Sequence, residues 1–225
     1  MEKYPVETSA TDLVVGSTKA IISMIPIAGS PLIEILNMIV TPSLQKRRDE
    51  WFSKLGEKLI ELEDKDCLTL EDLQHNEIFI DISIKATELA LKTSQAEKLE
   101  ALRNALLNSA KADSIDISIQ QIFLSYIDTF TVWHIKLLKL FDNPKEYESK
   151  LQDLSMGGLN NLIYAAYPEL TSKDEFVRQV FKDLYSKGLL NTESLGATMT
   201  LQGILSRRTT TMGQDFIKYI SEVEI

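Results

Sequence analysis

The sequence predicts a mainly α-helical protein, with a multi-helix bundle over residues 1–155 and a small winged-helix-like unit over residues 156–225. Apolar residues recur at helical spacing through most of the chain, which is typical of amphipathic helices. Capping residues precede many of these runs, and six prolines and nine glycines are few for 225 residues. Threonine-rich segments after residue 189 predict a short β-hairpin in the second unit.

The bundle begins with a strongly apolar segment, Leu13 to Val40, which a turn rich in proline and glycine interrupts at residues 26–31. An amphipathic surface helix would show a polar residue at every third or fourth position. The longest charge-free run of this segment, Ala20 to Ile33, has 14 residues, whereas a bilayer span needs about 20. We therefore expect a helical hairpin buried at the centre of the bundle, with membrane insertion as the alternative.

Three helical segments follow the hairpin. Thr41-Pro42 has the pattern of an N-cap followed by proline at the first helical position, and it predicts a helix to about residue 63. Thr69 predicts the cap of a short turn at 70–74, and Asn76 predicts the cap of a helix to about Thr93.

The rest of the bundle contains two more predicted helices. Ser94 and Glu97 have capping-box spacing and predict the start of the first one. A long central helix is predicted from Ile117 to Phe141. β-Branched residues at 127–132 lower the helix propensity there, and we expect burial to override them.

The C-terminal unit shows the order helix, turn, helix, hairpin, helix, which is typical of a winged helix. Its predicted parts are a helix from Gly158 to Tyr167, a helix from Lys173 to Ser186 opened by a Ser172–Glu175 capping box and closed by Gly188, strands within 189–208, and a final helix from Met212 to Ile220.

Composition limits the classes of function. The formal net charge of −9 argues against a broad nucleic-acid surface, which is normally basic. Cys67 is the sole cysteine of the sequence, so no disulfide can form within the chain, and a reducing compartment is favoured. The first residues lack the pattern of a signal peptide, and we expect a cytoplasmic protein, with membrane association left open.

Catalytic and metal-binding patterns are weak. The two histidines, His75 and His134, lie far apart in the sequence, and we interpret His134 as a partly buried structural residue. No histidine–cysteine cluster has zinc-ligand spacing. Residues 16–19 lack the order of a phosphate-binding loop, and no serine has the glycine spacing of a nucleophile elbow. We expect a protein that is not an enzyme and holds no metal or cofactor.

Two groups of basic residues are candidate contact sites. Lys46, Arg47 and Arg48 follow the apolar hairpin, where they can meet anionic lipid headgroups or instead pair with Asp49 and Glu50. The second group can bind DNA phosphates or a protein partner; it consists of Arg178, Lys182, Lys187, Arg207 and Arg208. Because basic and acidic residues nearly balance over 157–225, we favour a protein partner.

Several C-terminal segments are similar to a known family. They are residues 134–141 with Pro144, residues 188–190 and residues 211–216. With the apolar helical N-terminus, this layout resembles the bacterial abortive-infection alpha family of helical proteins, over about two thirds of the chain. The resemblance implies a bacterial protein that takes part in defence against phage by association, and it carries over no catalytic residues.

Three functional hypotheses follow. The first is a non-enzymatic interaction protein with an unidentified protein partner, and self-association stays open. The second is a membrane-active effector that inserts its N-terminal hairpin. The third is a winged-helix regulator that binds DNA.

Overall fold

The computed structural model describes residues 31–65, 67, 69–111 and 115–223. The chain divides into two compact units, Met1–Lys46 and Arg47–Ile225. The hairpin predicted from Leu13 onward lies outside the described residues up to residue 30. Near the end of that apolar segment, Met38 and Val40 are exposed.

The first described helix, α1, spans Pro31–Asp64, so the predicted start at Thr41-Pro42 is wrong. Pro42 lies inside the helix, where it cannot donate a hydrogen bond to the carbonyl of Met38. Both residues are exposed, and Met38 is 77% accessible. Water can therefore satisfy that carbonyl, which makes an internal proline tolerable at this position.

Over its described residues the protein is mainly helical, with one small two-stranded antiparallel sheet. The α-helices that follow α1 in the described residues are α2 Leu70–Gln74, α3 Glu77–Lys92, α4 Ala96–Ser109, α5 Ile117–Thr129, α6 Val132–Asp142, α7 Leu159–Ala166, α8 Asp174–Ser186, α9 Leu201–Ile204 and α10 Thr211–Tyr219. Residues Pro144–Lys150 and Pro168–Leu170 form 3-10 helices. Strand β1 is Met156–Gly157 and strand β2 is Met199–Thr200, with Met156 opposite Thr200.

Helix α3 confirms its prediction, and helix α2 confirms its predicted extent, although Thr69 at its N-cap makes no side-chain cap hydrogen bond. The short turn covers residues 70–74, and Asn76 caps α3 because its Oδ1 accepts a hydrogen bond from the Phe79 amide at 3.0 Å. The Ser94–Glu97 capping box is wrong. Gln95 stands at the N-cap of α4, and the Thr93 hydroxyl accepts from the Gln95 amide at 3.2 Å, which displaces the start of the helix by one residue.

The single central helix predicted from Ile117 to Phe141 is also wrong. Helix α5 ends at Thr129, Phe130 is extended with ψ 143°, and α6 starts at Val132. The Thr131 amide donates to Nδ1 of His134 at 3.1 Å, which gives the chain a local alternative to continuing the helix. Of the β-branched residues at 127–132, Ile127 is buried while Thr129 and Thr131 are exposed, so burial does not override their low helix propensity.

Helix α8 starts at Asp174 without a side-chain cap, so the predicted Ser172–Glu175 capping box is wrong. The Lys173 amide donates to the Leu170 carbonyl at 2.9 Å and continues the preceding 3-10 turn instead. The role predicted for Gly188 at the other end is confirmed, with a φ of +72°. Its amide donates to the Tyr185 carbonyl at 2.8 Å, and the Leu189 amide donates to the Leu184 carbonyl at 3.0 Å. These are the two hydrogen bonds of a Schellman motif.

The segment 189–208 does not form the predicted β-hairpin. Strand β2 pairs with β1, far back in the chain, and Leu190 makes an isolated bridge with Thr209 that closes the segment as a loop. The Thr200 hydroxyl accepts from the Gly203 amide at 3.2 Å and caps α9. This cap turns the chain where a hairpin strand would have to continue.

One hydrophobic core runs through the unit Arg47–Ile225, from Trp51 to Val223. Helix α3 packs on α4 and α5, α6 packs on α8, and α10 packs on α4 and α6. The predicted boundary at residue 155 falls inside this unit, and residues on both sides of it contribute to the same core. The position of α8 is therefore fixed by the helices that precede it.

Candidate interaction surface on helix α8

Helix α8 is amphipathic, with one apolar stripe toward the core. The buried positions repeat at helical spacing and are Val177, Val180, Phe181 and Leu184. Phe181 packs edge-on against Phe141 of α6, with ring centroids 5.4 Å apart. Burial of each such side chain contributes about 1.5–3 kcal/mol, so the opposite face of α8 is held in a fixed orientation toward solvent.

The exposed face of α8 carries Arg178, Lys182 and Tyr185 at positions i, i+4 and i+7. This spacing places them in one row along the helix. All three are exposed, and Tyr185 is 38% accessible. We call these three residues the α8 row.

Arg178 is oriented by a carboxylate on its own helix. Its Nε donates to Oδ2 of Asp174 at 2.6 Å, and the Tyr164 hydroxyl donates to Oδ1 of the same carboxylate at 2.8 Å. The hydrogen bond from Arg178 lowers the pKa of Asp174, and burial raises the pKa of Tyr164. The guanidinium is thereby held in place on a side chain that is 60% exposed.

The structure separates the other predicted C-terminal contacts from the α8 row. The Lys187 ammonium lies 5.6 Å from the centroid of the Tyr126 ring, just beyond the end of α8. Arg207 donates to the Asp142 carbonyl at 3.0 Å and pairs with its carboxylate at 3.4 Å. Arg207 therefore neutralises the C-terminal end of α6, where a cation is favoured.

The side chain of Arg208 points into the loop 189–209. The sequence predicted that it would extend from a wing toward a partner or DNA. Its Nη2 donates to the Gly203 carbonyl and lies 3.2 Å from the Met199 sulfur, and its Nε is buried without a partner. The Arg208 amide also donates a hydrogen bond to the Phe141 carbonyl, and the Arg208 carbonyl accepts one from the Asn191 amide. Arg208 thus stabilises the loop from within, which makes it a poor candidate for a contact with DNA.

The basic residues near the start of the second unit are also engaged by the protein. Arg47 donates to the Leu91 carbonyl at 3.3 Å, at the C-terminal end of α3. Arg48 pairs with Asp49 at 3.2 Å, in agreement with the alternative of local charge pairing. Lys46 is exposed on α1.

His134 has the geometry of a structural histidine. It is 6% accessible, its Nδ1 accepts from the Thr131 amide, and its Nε2 lies 3.3 Å from Oδ2 of Asp183 on α8. Sequence reasoning missed the link between His134 and Asp183, because only the fold brings α6 and α8 together. It also missed the pair of Asp174 and Arg178, which their i, i+4 spacing could have indicated.

Within the described ranges, no three histidine, cysteine, aspartate or glutamate side chains are grouped so that they can hold a metal ion. None of the helices in that part of the chain combines the length and the apolar character that crossing a membrane requires. Comparison of the chain with models of protein families, with curated proteins and with solved structures gives no match.

Proposed function

We propose that this chain is a non-enzymatic interaction protein that docks a protein partner through the α8 row. The observation that carries this proposal is the alignment of Arg178, Lys182 and Tyr185 on the exposed face of a helix whose other face is buried. Arginine and tyrosine are enriched among the residues that dominate binding energy at interfaces. The charges favour a partner with carboxylates opposite Arg178 and Lys182 and an apolar contact for Tyr185.

A protein partner fits this surface better than DNA does. Arg207 and Arg208, which a wing would need for contacts with phosphates, are held by groups of the protein itself. In a winged-helix interpretation, α8 is the recognition helix and the loop 189–209 replaces the wing. We propose that such a unit serves here for binding protein.

The family resemblance supports a role for this interaction in bacterial defence against phage, in the cytoplasm. A membrane-active role is less favoured, because Arg47 and Arg48 are engaged by Leu91 and Asp49 and would have to leave those partners to bind lipid headgroups.

The proposal is tested by affinity capture from a bacterial host with two matched variants. The first combines Lys182→Glu with Tyr185→Ala in the α8 row. The control is Lys145→Glu, which makes the same charge change at an exposed lysine of the 3-10 helix 144–150. We expect a partner retained by the wild type and the control but lost by the double variant, and a purified pair whose Kd rises at least tenfold for the double variant.

Phage plating on the same strains tests the biological role. We expect protection with the wild type and with Lys145→Glu, and loss of protection with the double variant. Equal capture and equal protection by both variants would exclude the α8 row as the docking surface. Turnover of a substrate by the purified protein would overturn the non-enzymatic assignment.

A further inference from the structure

The corner between α5 and α6 is built around the ring of His134. The ring stacks on Phe130, with centroids 4.6 Å apart and planes inclined by 8°. Phe130 in turn stacks on Tyr126 and meets Phe216 edge-on. The imidazole is therefore fixed in position by the aromatic core, and its two nitrogens have fixed surroundings.

The hydrogen bonds of His134 define its protonation state. A backbone N–H can only donate, so Nδ1 must accept the bond from the Thr131 amide at 3.1 Å. The neutral ring then carries its proton on Nε2, which lies 3.3 Å from Oδ2 of Asp183. This arrangement forms the side-chain half of a capping box, in which the third residue of a helix accepts from the N-cap amide.

We propose that His134 is a pH-sensitive latch, and that protonation of Nδ1 releases the Thr131 amide and loosens the corner between α5 and α6. A proton from solvent would occupy the lone pair that now accepts from Thr131. The hydroxyl of Thr131, which lies 2.9 Å from Nδ1, can accept the new N–H, so the ring keeps its place. The bond to Asp183 persists because Nε2 donates in both states.

The charged groups around the ring set the pH at which the latch opens. Asp183 on α8 stabilises the imidazolium, and Lys98 on α4 destabilises it. Burial is the largest influence and lowers the pKa of His134 below its ordinary value. Asp183 is itself held by Gln179, whose side-chain amide donates to Oδ1 at 2.7 Å. We therefore expect release in mildly acidic solution, below a pH of about 6.5.

The latch is tested in the full chain by NMR titration between pH 5 and 8. Ring nitrogen shifts report the tautomer and the pKa of His134, and amide exchange reports the protection of Thr131. We expect the Nε2–H tautomer at neutral pH, and a protection factor for Thr131 that falls about fivefold as His134 protonates, as for loss of part of an N-cap.

Two variants separate the latch from a general effect of acid. His134→Gln keeps an acceptor for the Thr131 amide and a donor for Asp183 but cannot titrate, so Thr131 should stay protected down to pH 5. His75→Gln removes the exposed histidine that ends α2, and it should leave the transition unchanged.

Three outcomes would overturn the proposal. They are a Thr131 amide whose protection does not change while His134 titrates, a His134 pKa at or above 6.5, and a transition that persists in His134→Gln. The first two are measured in the wild type, so the test stands even if a variant does not fold.

Discussion

Two helix ends of this protein are closed in different ways. At the corner between α5 and α6, side chains hold the chain, because Thr131 bonds the ring of His134 and that ring stacks on Phe130. At the end of α8, the backbone holds it through the Schellman bonds of Gly188 and Leu189. The first closure depends on distant parts of the fold and on protonation, and the second depends on the conformation of one glycine.

The largest effect is expected at the corner, from Phe130→Ala. Phe130 is buried and contacts Tyr126, His134 and Phe216, so its removal leaves a cavity and frees the histidine ring. We expect a loss of about 3–5 kcal/mol in the free energy of unfolding, measured by urea denaturation. Phe176→Ala, at a phenylalanine that is 37% exposed on α8, is the control and should cost much less.

The next effect is expected at the end of α8, from Gly188→Val. The φ of +72° is a left-handed conformation that costs a β-branched residue about 1–2 kcal/mol, and no heavy atom lies within 4 Å of the added Cβ. The cost should therefore come from backbone strain alone. Gly188→Asn should retain most of the stability, since asparagine tolerates this region. Equal losses for the two variants would point to packing instead.

The same contrast explains which parts of the fold the sequence could predict. Asn76 caps a helix through a bond to an amide three residues away, and Gly188 ends a helix through its own positive φ. Both features are local in the sequence, and both predictions are confirmed. At the break, the ring of Phe130 also meets Phe216 edge-on, and Phe216 lies far away in the chain. Periodicity alone could not show the break, because the buried positions Ile127, Phe130 and His134 keep helical spacing across it.

In the candidate surface, too, the features set by neighbouring residues could be predicted and those set by distant contacts could not. Arg178 and Lys182 share a face because they are four residues apart on one helix, which the sequence alone indicates. The inward position of Arg208 depends on the Gly203 carbonyl and on the pairing of β2 with β1. The sequence pattern in 189–208 predicted a hairpin there. It therefore predicted an outward-facing Arg208, whereas the side chain lies inside the loop.

A smaller effect is expected from Thr131→Ala. The substitution removes the hydroxyl that lies 2.9 Å from Nδ1 and replaces a favourable N-cap residue. We expect a loss of about 1 kcal/mol by urea denaturation. Thr131→Ser keeps the hydroxyl and should lie within about 0.5 kcal/mol of the wild type. If serine costs as much as alanine, the hydroxyl contributes nothing to the corner.

The weakest effect is expected from acidification alone, because it changes one half of one cap. The pKa of His134 is lowered by burial in the folded state, so between that pKa and about 6.5 the unfolded chain binds the extra proton. Stability should therefore be complete above pH 6.5 and decline as the pH falls below it. Comparing the urea midpoints of the wild type and His134→Gln from pH 8 to 5 isolates this contribution.

The lower limit of that pH range keeps carboxylate titrations out of the comparison. Hydrogen bonds from Lys65 and Lys58 lower the pKa of Glu61 from 4.5 to about 2, so its contribution is lost only as the pH falls below 4.5. Glu61 therefore titrates below the measured range, and it is present in both wild type and His134→Gln. A difference that develops between pH 6.5 and 5 belongs to the corner, while the glycine closure of α8 has no group that titrates there.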